Sequence, residues 1–297
     1  MKIGIYGQFY HANSEVHIQE LLSLLKEAQV NFILEEGFSK IMKDNKIIGP
    51  QYTDLPTFKT LDSSFDLFFS IGGDGTILKS VNFVKNLNIP IVGINTGRLG
   101  FLSTIQKEEI KRSLTAILNK DYVISTRSLL ALEISDEKHK LSSSNFALND
   151  IVINRKNSTS MITVETWLND QYLTAYWADG LIITTATGST GYSMSCGGPI
   201  IAPQTDAMGL TPIAPHNLNA RPLIVPSSTV LTLKVDTRED EFLVAMDSNL
   251  VSLKKETQLT IKKAPFTIDL VTLNDDSFVR TLRQKLLWGE DKRNSKH

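Results

Sequence analysis

Residues 65–86 read FDLFFSIGGDGTILKSVNFVKN, and this stretch predicts a buried strand, a glycine-rich turn and a helix. Residues 65–71 are mostly apolar, as in a strand that is covered on both faces. Residues 76–86 follow the three- and four-residue spacing of a helix, with an apolar face made by Ile77, Val81 and Val84. A glycine-rich turn here lets a phosphate group approach the backbone at the helix end that attracts anions.

The same alternation of strand and helix extends over residues 1–125. Residues 2–6 and 89–94 are predicted strands. Residues 14–28 are a predicted helix, with an apolar face made by Ile18, Leu21, Leu22 and Leu25. Strands separated by helices pair in parallel through right-handed crossovers. We therefore predict an N-terminal α/β domain with a parallel sheet, which carries the glycine-rich turn.

After Arg127 the apolar pattern changes to the two-residue period of strands. Asn169-Asp170 separates two such stretches and predicts a hairpin turn. Residues 259–261 and 266–273 are two further predicted strands. The sequence thus predicts a mainly-β C-terminal domain over residues 126–275, built as a sandwich or a stack of sheets. Residues 277–287 then return to helical spacing, which predicts a final helix with Phe278, Leu282 and Leu286 on one face.

Composition and charge narrow the class of protein. The chain has 297 residues, of which 41% are hydrophobic and 21% charged, as expected for a globular protein with more than one core. A formal net charge of −1 favours neither nucleic acid nor a membrane surface as a partner. The sequence shows neither a signal-peptide pattern nor a long apolar run, and Cys196 is its single cysteine, so we expect a cytoplasmic protein.

Asp74 stands inside the glycine-rich turn, where a bare carboxylate would repel a phosphate. Two chemical roles explain it: the carboxylate helps to hold Mg²⁺, or it accepts a proton from an attacking hydroxyl. Both roles belong to phosphoryl transfer, and the turn therefore predicts a kinase. The alternative is that Asp74 only caps the following helix. The three glycines Gly72, Gly73 and Gly75 exceed what a cap requires and favour the functional interpretation.

Two further polar stretches accompany predicted strands. Residues 95–102, NTGRLGFL, follow the strand at 89–94, at the sheet edge where ligands bind in open parallel sheets. Asn95 and Arg98 are candidate ligand-binding residues there, and a glycine-rich surface turn is the alternative. Asn149 and Asp150 interrupt an apolar strand predicted over residues 146–153, where they suit a ribose diol or an exposed strand edge.

A longer polar stretch, TGSTGYSMSCGGP at residues 187–199, follows the apolar residues 181–186. Its small hydroxyl and glycine residues offer a ligand close contact with the backbone. Tyr192 adds a ring that can stack or a hydroxyl that can bond. A polar flexible loop is the alternative, which explains the composition but not the order of the residues.

Taken together, these motifs resemble those of the NAD kinase family. The resemblance is carried by GGDGT at 72–76, NTGRLGFL at 95–102, ND at 149–150, WADGLIITTATGSTGYSMSCGGP at 177–199, TPIAPHNLNARPL at 211–223 and FVRTLRQKLLWG at 278–289. It implies transfer of the γ-phosphoryl group of ATP to the adenosine ribose 2′-hydroxyl of NAD, with Mg²⁺ bound mainly by ATP and not by protein ligands. It also implies a homodimer or homotetramer, and a final helix and tail, residues 276–297, that return to the N-terminal domain.

The resemblance also assigns site residues. Asp74 matches the family's catalytic aspartate, and Asn149 and Asp150 match a pair that binds NAD. The other positions predicted to bind ligands are Gly72, Gly73, Gly75, Asn95, Arg98, Phe101, Asp179, Thr190, Gly191, Tyr192, Ser195 and Asp247. Many relatives carry Ala where Gly191 stands and Glu where Asp150 stands, and the shorter Asp150 side chain reaches about one bond less.

Two other functions compete with this interpretation. A lipid kinase can carry the same glycine-rich turn, but a lipid needs a large apolar groove, which the polar residues 187–199 supply poorly. A dinucleotide-binding regulator without catalysis is the second competitor. Binding alone gains little from a carboxylate beside phosphates, so the presence of Asp74 disfavours it. Turnover distinguishes an enzyme from such a regulator.

Overall fold

The structure is a computed structural model that describes residues 1–8, 14–45, 47, 52, 54–97, 99–103, 105–135, 144–157, 160–274 and 277–287. Its helices are α1 Ser14–Glu27, α2 Glu36–Asp44, α3 Asp74–Val84, α4 Ile110–Leu118, α5 Tyr192–Ser195 and α6 Phe278–Leu286. Its strands are β1 Lys2–Gly7, β2 Asn31–Glu35, β3 Thr57–Phe58, β4 Leu67–Gly72, β5 Ile91–Asn95, β6 Ile105–Gln106, β7 Val123–Ile134, β8 Phe146–Ala147, β9 Asp150–Asn154, β10 Ile162–Leu168, β11 Gln171–Ala178, β12 Gly180–Thr185, β13 Ala207–Ile213, β14 Leu223–Pro226, β15 Leu231–Asp236, β16 Glu241–Met246, β17 Asn249–Lys254 and β18 Leu259–Thr272.

The chain divides into two compact units. The first contains residues 1–126 and the described residues from Ile268 onward, and the second is Arg127–Thr267. The first unit is therefore made of two separate stretches of sequence. Within the described residues, no helix is both long and apolar enough to cross a membrane.

The first unit is the α/β domain predicted from the sequence. Its strands pair in parallel in the order β18-β5-β4-β1-β2-β3, with β6 beside β5. Every residue of β4 and β5 is buried, as the apolar composition of these strands predicts. Helix α1 buries the predicted face made by Ile18, Leu21, Leu22 and Leu25. Helix α3 likewise buries Ile77, Val81 and Val84.

The second unit is the predicted mainly-β domain and contains two sheets. One has the order β11-β10-β15-β18 and continues with β7 and β8, and the other has the order β14-β13-β12-β9-β16-β17. Apolar side chains of both sheets form one core, for example Val164 of β10 and Ile183 of β12. Asn169 and Asp170 both have positive φ, 46° and 66°, and connect β10 to β11 in the predicted hairpin.

Two strand predictions were wrong in detail. The strand predicted over residues 146–153 is broken: β8 ends at Ala147 and β9 begins at Asp150, because a side chain from the turn that follows β16 binds the backbone between them, as described below. The stretches at 259–261 and 266–273, separated by Pro265, are one continuous strand, β18. A proline within an apolar stretch predicts the end of a strand, but a strand tolerates a proline at a position where no backbone N–H has to donate to the neighbouring strand.

The predicted final helix is α6. Its N-cap residue is Ser277, whose hydroxyl accepts the backbone N–H of Arg280 at 3.2 Å. The predicted apolar face of Phe278, Leu282 and Leu286 is half-buried. The helix belongs to the first unit. The remainder of the predicted tail, residues 288–297, lies outside the described residues.

Candidate active site

The glycine-rich turn and the NTGRLGFL stretch begin side by side. They follow the neighbouring strands β4 and β5, whose last residues Gly72 and Asn95 are paired in register. Gly72 has φ of +150°, and a Cβ there would lie 2.2 Å from Oγ1 of Thr76, so this position requires glycine. A Cβ at Gly73 or Gly75 would meet no atom within 4 Å. These two glycines therefore leave the backbone open to an approaching group.

Asp74 is the first residue of α3, and its side chain makes no capping hydrogen bond. Its carboxylate instead accepts three consecutive backbone N–H groups of the neighbouring loop: Phe101 donates to Oδ2 at 2.8 Å, and Leu102 and Ser103 each donate to Oδ1 at 3.0 Å. The helix-cap alternative considered for Asp74 is thus wrong. The carboxylate joins the two loops that follow β4 and β5.

The loop that binds Asp74 is shaped by two of its own residues. Asn95 is fully buried; its Oδ1 accepts the N–H of Gly97 at 2.8 Å, and its Nδ2 donates to the carbonyl of Ser103 at 3.3 Å. A Cβ at Gly100 would lie 1.8 Å from Asp74 Oδ1, so glycine is required for the carboxylate to reach its donors. Arg98, also predicted to bind a ligand, lies outside the described residues.

Lys285 of α6 is a neighbour of Asp74 that the sequence did not reveal. Its Nζ lies 4.0 Å from Asp74 Oδ2 and 4.5 Å from the centroid of the Phe101 ring. The side chains of Lys285 and Asp74 are 34% and 28% exposed. No local pattern links a residue of the final helix to the glycine-rich turn, and only the tertiary fold brings them together.

In the second unit, Asp247 holds the Asn149-Asp150 segment in the same way that Asp74 holds its loop. Its carboxylate accepts the backbone N–H groups of Leu148 at 2.8 Å, Asn149 at 2.9 Å and Asp150 at 3.2 Å. Its own N–H donates to the carbonyl of Asp150 at 3.0 Å, and its φ is +50°. These contacts interrupt the strand between β8 and β9. Asp247 was predicted to bind a ligand, and the structure gives it a role in shaping the segment that carries Asn149 and Asp150.

The Asn149-Asp150 segment contains polar groups that are unusual in a protein interior. Burial, and then the nearby carboxylate of Asp247, raise the pKa of Asp150 to about 7. Burial also raises the pKa of Asp247, against the effect of its three N–H donors. Oδ1 of Asn149 is buried and has no hydrogen-bond partner among the described residues. An unpaired buried acceptor is costly unless a ligand satisfies it.

Residues 187–195 form two short helical turns and not an irregular loop: a 3₁₀ turn at Thr187–Thr190 and then α5. The inward hydroxyls hold these turns. Ser189 is fully buried and bonds to the carbonyls of Ala186 at 2.7 Å and Ile201 at 3.2 Å, and Ser193 bonds to Thr211 at 2.9 Å. The hydroxyl residues that the turns leave accessible are the predicted ligand-binding residues Thr190, Tyr192 and Ser195.

Tyr192 lies close to several acidic groups of the second unit. Its pKa is raised by burial, by Cys196, and by the negative charges of Asp150 and Asp179. The structure thus brings together Asp150, Tyr192 and Asp179, three of the residues predicted to bind NAD. Asp179 forms an ion pair with Arg155, whose Nε lies 3.1 Å from Asp179 Oδ1. The sequence did not identify Arg155 as part of the site.

Gly188 and Gly191 both lie near Asn149, but at different distances. A Cβ at Gly188 would lie 2.1 Å from the carbonyl oxygen of Asn149, whereas a Cβ at Gly191 would lie 3.2 Å from the carbonyl oxygen of Gly188 and 3.7 Å from Nδ2 of Asn149. Close approach therefore requires glycine at 188, while position 191 has room for a methyl group.

Within the described residues, no cluster of three or more His, Cys, Asp or Glu side chains could hold a metal ion.

Comparison with known proteins identifies the family. A model of the ATP-NAD kinase N-terminal domain matches residues 3–122, and a model of the ATP-NAD kinase C-terminal domain matches residues 148–273. The chain is 58% identical over 294 residues to an NAD kinase of Christiangramia forsetii and 51% identical over 294 residues to one of Flavobacterium psychrophilum. In both comparisons 99% of this chain and 100% of the relative are covered.

Solved structures show the same fold at lower sequence identity. Yeast NADH kinase complexed with NADH is 24% identical with a TM-score of 0.86, over 99% of this chain and 89% of that chain. An NAD kinase from Archaeoglobus fulgidus in complex with ATP is also 24% identical, with a TM-score of 0.74 over 97% of this chain and 99% of that chain. The matched domain models cover most of the chain, and the relatives match its full length, so the chain belongs to the ATP-NAD kinase family.

Proposed function

We propose that this chain is an NAD kinase that transfers the γ-phosphoryl group of Mg·ATP to the adenosine ribose 2′-hydroxyl of NAD, giving NADP and ADP. The observation that carries the proposal is the position of Asp74. Its carboxylate lies at the N-terminal end of α3, beyond the paired ends of β4 and β5, where ligands bind in open parallel sheets. Membership of the ATP-NAD kinase family supports the choice of substrates.

In the proposed reaction Asp74 accepts the proton of the 2′-hydroxyl. The hydroxyl oxygen forms a bond to the γ-phosphorus, the bond from that phosphorus to the β,γ-bridging oxygen breaks, and its electron pair leaves with ADP. A carboxylate has about four lone-pair sites. Leu102 and Ser103 donate to Oδ1, and Phe101 alone donates to Oδ2. We therefore assign the proton-accepting role to Oδ2, which keeps one unoccupied lone pair towards the side of Lys285.

We assign the phosphates of Mg·ATP to the glycine-rich turn, where Gly73 and Gly75 leave the backbone open and α3 presents its N-terminal end. Gly72, Asn95, Arg98 and Phe101 complete this part of the site in the proposal. The Mg²⁺ ion enters as part of the nucleotide substrate. In these assignments residues 1–125 are the nucleotide-binding domain, and residues 276–297 pack on it.

We assign NAD to the β-rich domain, residues 126–275. In this assignment Asp150 accepts a hydrogen bond from a ribose hydroxyl of NAD. Oδ1 of Asn149, which has no hydrogen-bond partner among the described residues, accepts a second hydrogen bond from the ligand. Asp179, Thr190, Gly191, Tyr192 and Ser195 provide further contacts, while Asp247 fixes the backbone of Asn149 and Asp150. The proposal further includes a homodimer or homotetramer in the cytoplasm.

The experiment that tests the function is formation of NADP from NAD and Mg·ATP by the purified chain, compared with Asp74→Asn. We expect the native chain to form NADP and the variant to lose about two to four orders of magnitude in kcat, the usual contribution of a general base. Both proteins should bind NAD. A native chain that binds NAD but forms no NADP would support the regulator, and a chain that binds no NAD would reopen the lipid kinase alternative.

A further inference from the structure

We infer that Lys285 is a further catalytic residue, which binds the γ-phosphoryl group while Asp74 takes the proton. This inference rests on the proposed function. The structure supplies the geometry: the Lys285 ammonium lies 4.0 Å from Asp74 Oδ2, the carboxylate oxygen that accepts one backbone N–H where Oδ1 accepts two. Neither family membership nor the sequence motifs assign Lys285 a role.

The position of Lys285 is fixed by the same loop that holds Asp74. Phe101 donates its backbone N–H to Asp74 Oδ2 at 2.8 Å, and its ring lies 4.5 Å below the Lys285 ammonium. The Phe101 ring also packs against Phe278 at the start of α6, with the ring centroids 6.4 Å apart. The carboxylate, the aromatic ring and the ammonium therefore form one connected group.

Helix α6 has an anchor that does not involve Lys285. Thr281 is buried, its hydroxyl donates to the carbonyl of Ser277 at 3.3 Å, and Ser277 caps the helix. Phe278 makes the aromatic contact two turns before Lys285. The Lys285 side chain is one-third exposed, so its ammonium is accessible to a ligand as well as to Asp74. If the residue at position 285 served only to attach α6 to the domain, we would expect a buried apolar side chain there instead of an exposed lysine.

The reaction needs a cation at this position. Asp74 carries a negative charge into a region that must also receive the negative γ-phosphate, and the two repel each other. The groups that face the carboxylate are the N–H groups of Phe101, Leu102 and Ser103, the N-terminal end of α3, and Lys285. Within the part of the chain that the structure describes, Lys285 is the cation that is paired with this carboxylate. Lysine is a common ligand of transferring phosphates because its ammonium acts as a compact charge.

In the resulting step the 2′-hydroxyl oxygen bonds to the γ-phosphorus, its proton passes to Asp74 Oδ2, and the electron pair of the broken phosphorus–oxygen bond leaves on ADP. Lys285 donates hydrogen bonds to the non-bridging γ-oxygens and keeps its own protons. As Asp74 becomes neutral, the ammonium interacts less with the carboxylate and more with the phosphoryl oxygens. A stabilising contact that strengthens during the reaction raises kcat more than it changes substrate binding.

The test compares Lys285→Met, Lys285→Arg and the control Arg283→Met, which removes an exposed cation from the same turn of α6. We expect Lys285→Met to lower kcat by about 10² to 10³, as for loss of one charge-stabilising donor, with a smaller change in KM for NAD. Lys285→Arg should restore part of kcat, and Arg283→Met should stay within about twofold of the native rate because surface substitutions are usually near neutral. Equal thermal unfolding midpoints would show that the variants are folded.

A double variant measures the coupling between the two residues. Because Lys285 and Asp74 act on one step, Lys285→Met should cost less in an Asp74→Asn background than in the native chain. Equal costs in both backgrounds would overturn the inference. A Lys285→Met variant with the native kcat would also overturn it, while leaving the proposed function intact.

A binding measurement separates failure of this inference from failure of the proposed function. If the native chain forms no NADP, the proposed function fails, and Lys285 is then judged by the affinity for Mg²⁺ with the β,γ-imido analogue of ATP. We expect Lys285→Met to weaken that affinity by about tenfold, the size of a lost charge-assisted contact, and Lys285→Arg to weaken it less. An unchanged affinity in Lys285→Met would overturn the inference.

Discussion

Oδ1 of Asp247 accepts the backbone N–H of Asn149 at 2.9 Å, and the same carboxylate accepts the N–H groups on either side of it. Asp74 makes the equivalent set of three bonds to Phe101, Leu102 and Ser103. In each unit of the chain, one carboxylate thus determines the shape of a polar segment that the sequence marks as functional. The contribution of each carboxylate can be measured separately.

Asp247→Asn should loosen the Asn149-Asp150 segment. The amide oxygen can still accept the N–H groups of Asn149 and Asp150, but the new NH₂ group would face the N–H of Leu148 in place of Oδ2. Asn tolerates the positive φ of this position, so the backbone is not strained. We expect a loss of about 1–3 kcal/mol in the free energy of unfolding, the penalty of an unsatisfied buried donor, together with a higher KM for NAD.

Urea unfolding and steady-state kinetics measure these two effects, with the exposed Asp236→Asn as the matched control. An Asp247→Asn variant as stable as the control would contradict the role assigned to Asp247.

The stability of the chain should fall as the pH rises from about 4 to about 7. The pKa of Asp150 is raised from 3.8 to about 7, so the folded state holds a proton that the unfolded state has already lost in this range. Burial of Asp247 acts in the same direction. We expect a higher thermal unfolding midpoint near pH 5 than near pH 8, and a smaller difference in Asp150→Asn, which has no proton to lose. The same pH dependence in both proteins would contradict this origin.

Gly100→Ala should impair the reaction by displacing the carboxylate of Asp74, although Asp74 itself is not substituted. The new methyl group would lie 1.8 Å from Asp74 Oδ1, so the carboxylate has to move away from its donors. We expect kcat to fall by about 10²-fold, since a displacement of about 1 Å at a reacting group has that effect. Gly75→Ala is the informative comparison: its methyl group meets no protein atom, so we expect native stability and a raised KM for ATP. Identical kinetic behaviour of the two variants would refute this distinction.

Gly188→Ala and Gly191→Ala should differ in stability although both lie in the same pair of turns. A Cβ at 188 would lie 2.1 Å from the backbone oxygen of Asn149, which cannot easily move, whereas the contacts at 191 begin at 3.2 Å. We expect Gly188→Ala to lose about 1–3 kcal/mol or more in the free energy of unfolding, as for overpacking, and Gly191→Ala to stay close to native. Chemical denaturation of both variants provides the measurement. A destabilised Gly191→Ala would contradict the space inferred at position 191.

Much of the fold was predictable because its signals are local. The apolar faces of α1 and α3, the buried strands β4 and β5, and the hairpin at Asn169-Asp170 follow from spacing and turn chemistry alone. The break between β8 and β9 was not predictable, because its cause is the carboxylate of Asp247, which lies about 100 residues further along the chain in the turn after β16. The pairing of Asp179 with Arg155 and the approach of Lys285 to Asp74 are tertiary contacts of the same kind.

The burial of the Arg127 side chain is another feature that could not be predicted from the sequence. Nothing in its sequence neighbourhood indicates that this arginine is buried, yet desolvation lowers its pKa to about 10, and Nε has no partner among the described residues. Its Nη1 donates to Oγ1 of Thr187, at 3.5 Å. The sequence identified the residues of the candidate site by type and by family resemblance, but the partners that orient them came from the folded chain.

The first unit is assembled from two stretches of sequence, residues 1–126 and those from Ile268 onward, so its parts are not synthesised one directly after the other. The glycine-rich turn and its aspartate are synthesised early, but the end of β18 that pairs with β5, and the lysine of α6, are among the last described residues to emerge. A nascent chain that stops before α6 would carry the complete family motif of residues 72–76 without the cation beside it. If Lys285 acts as inferred above, such a truncated product should consume ATP more slowly than the full chain.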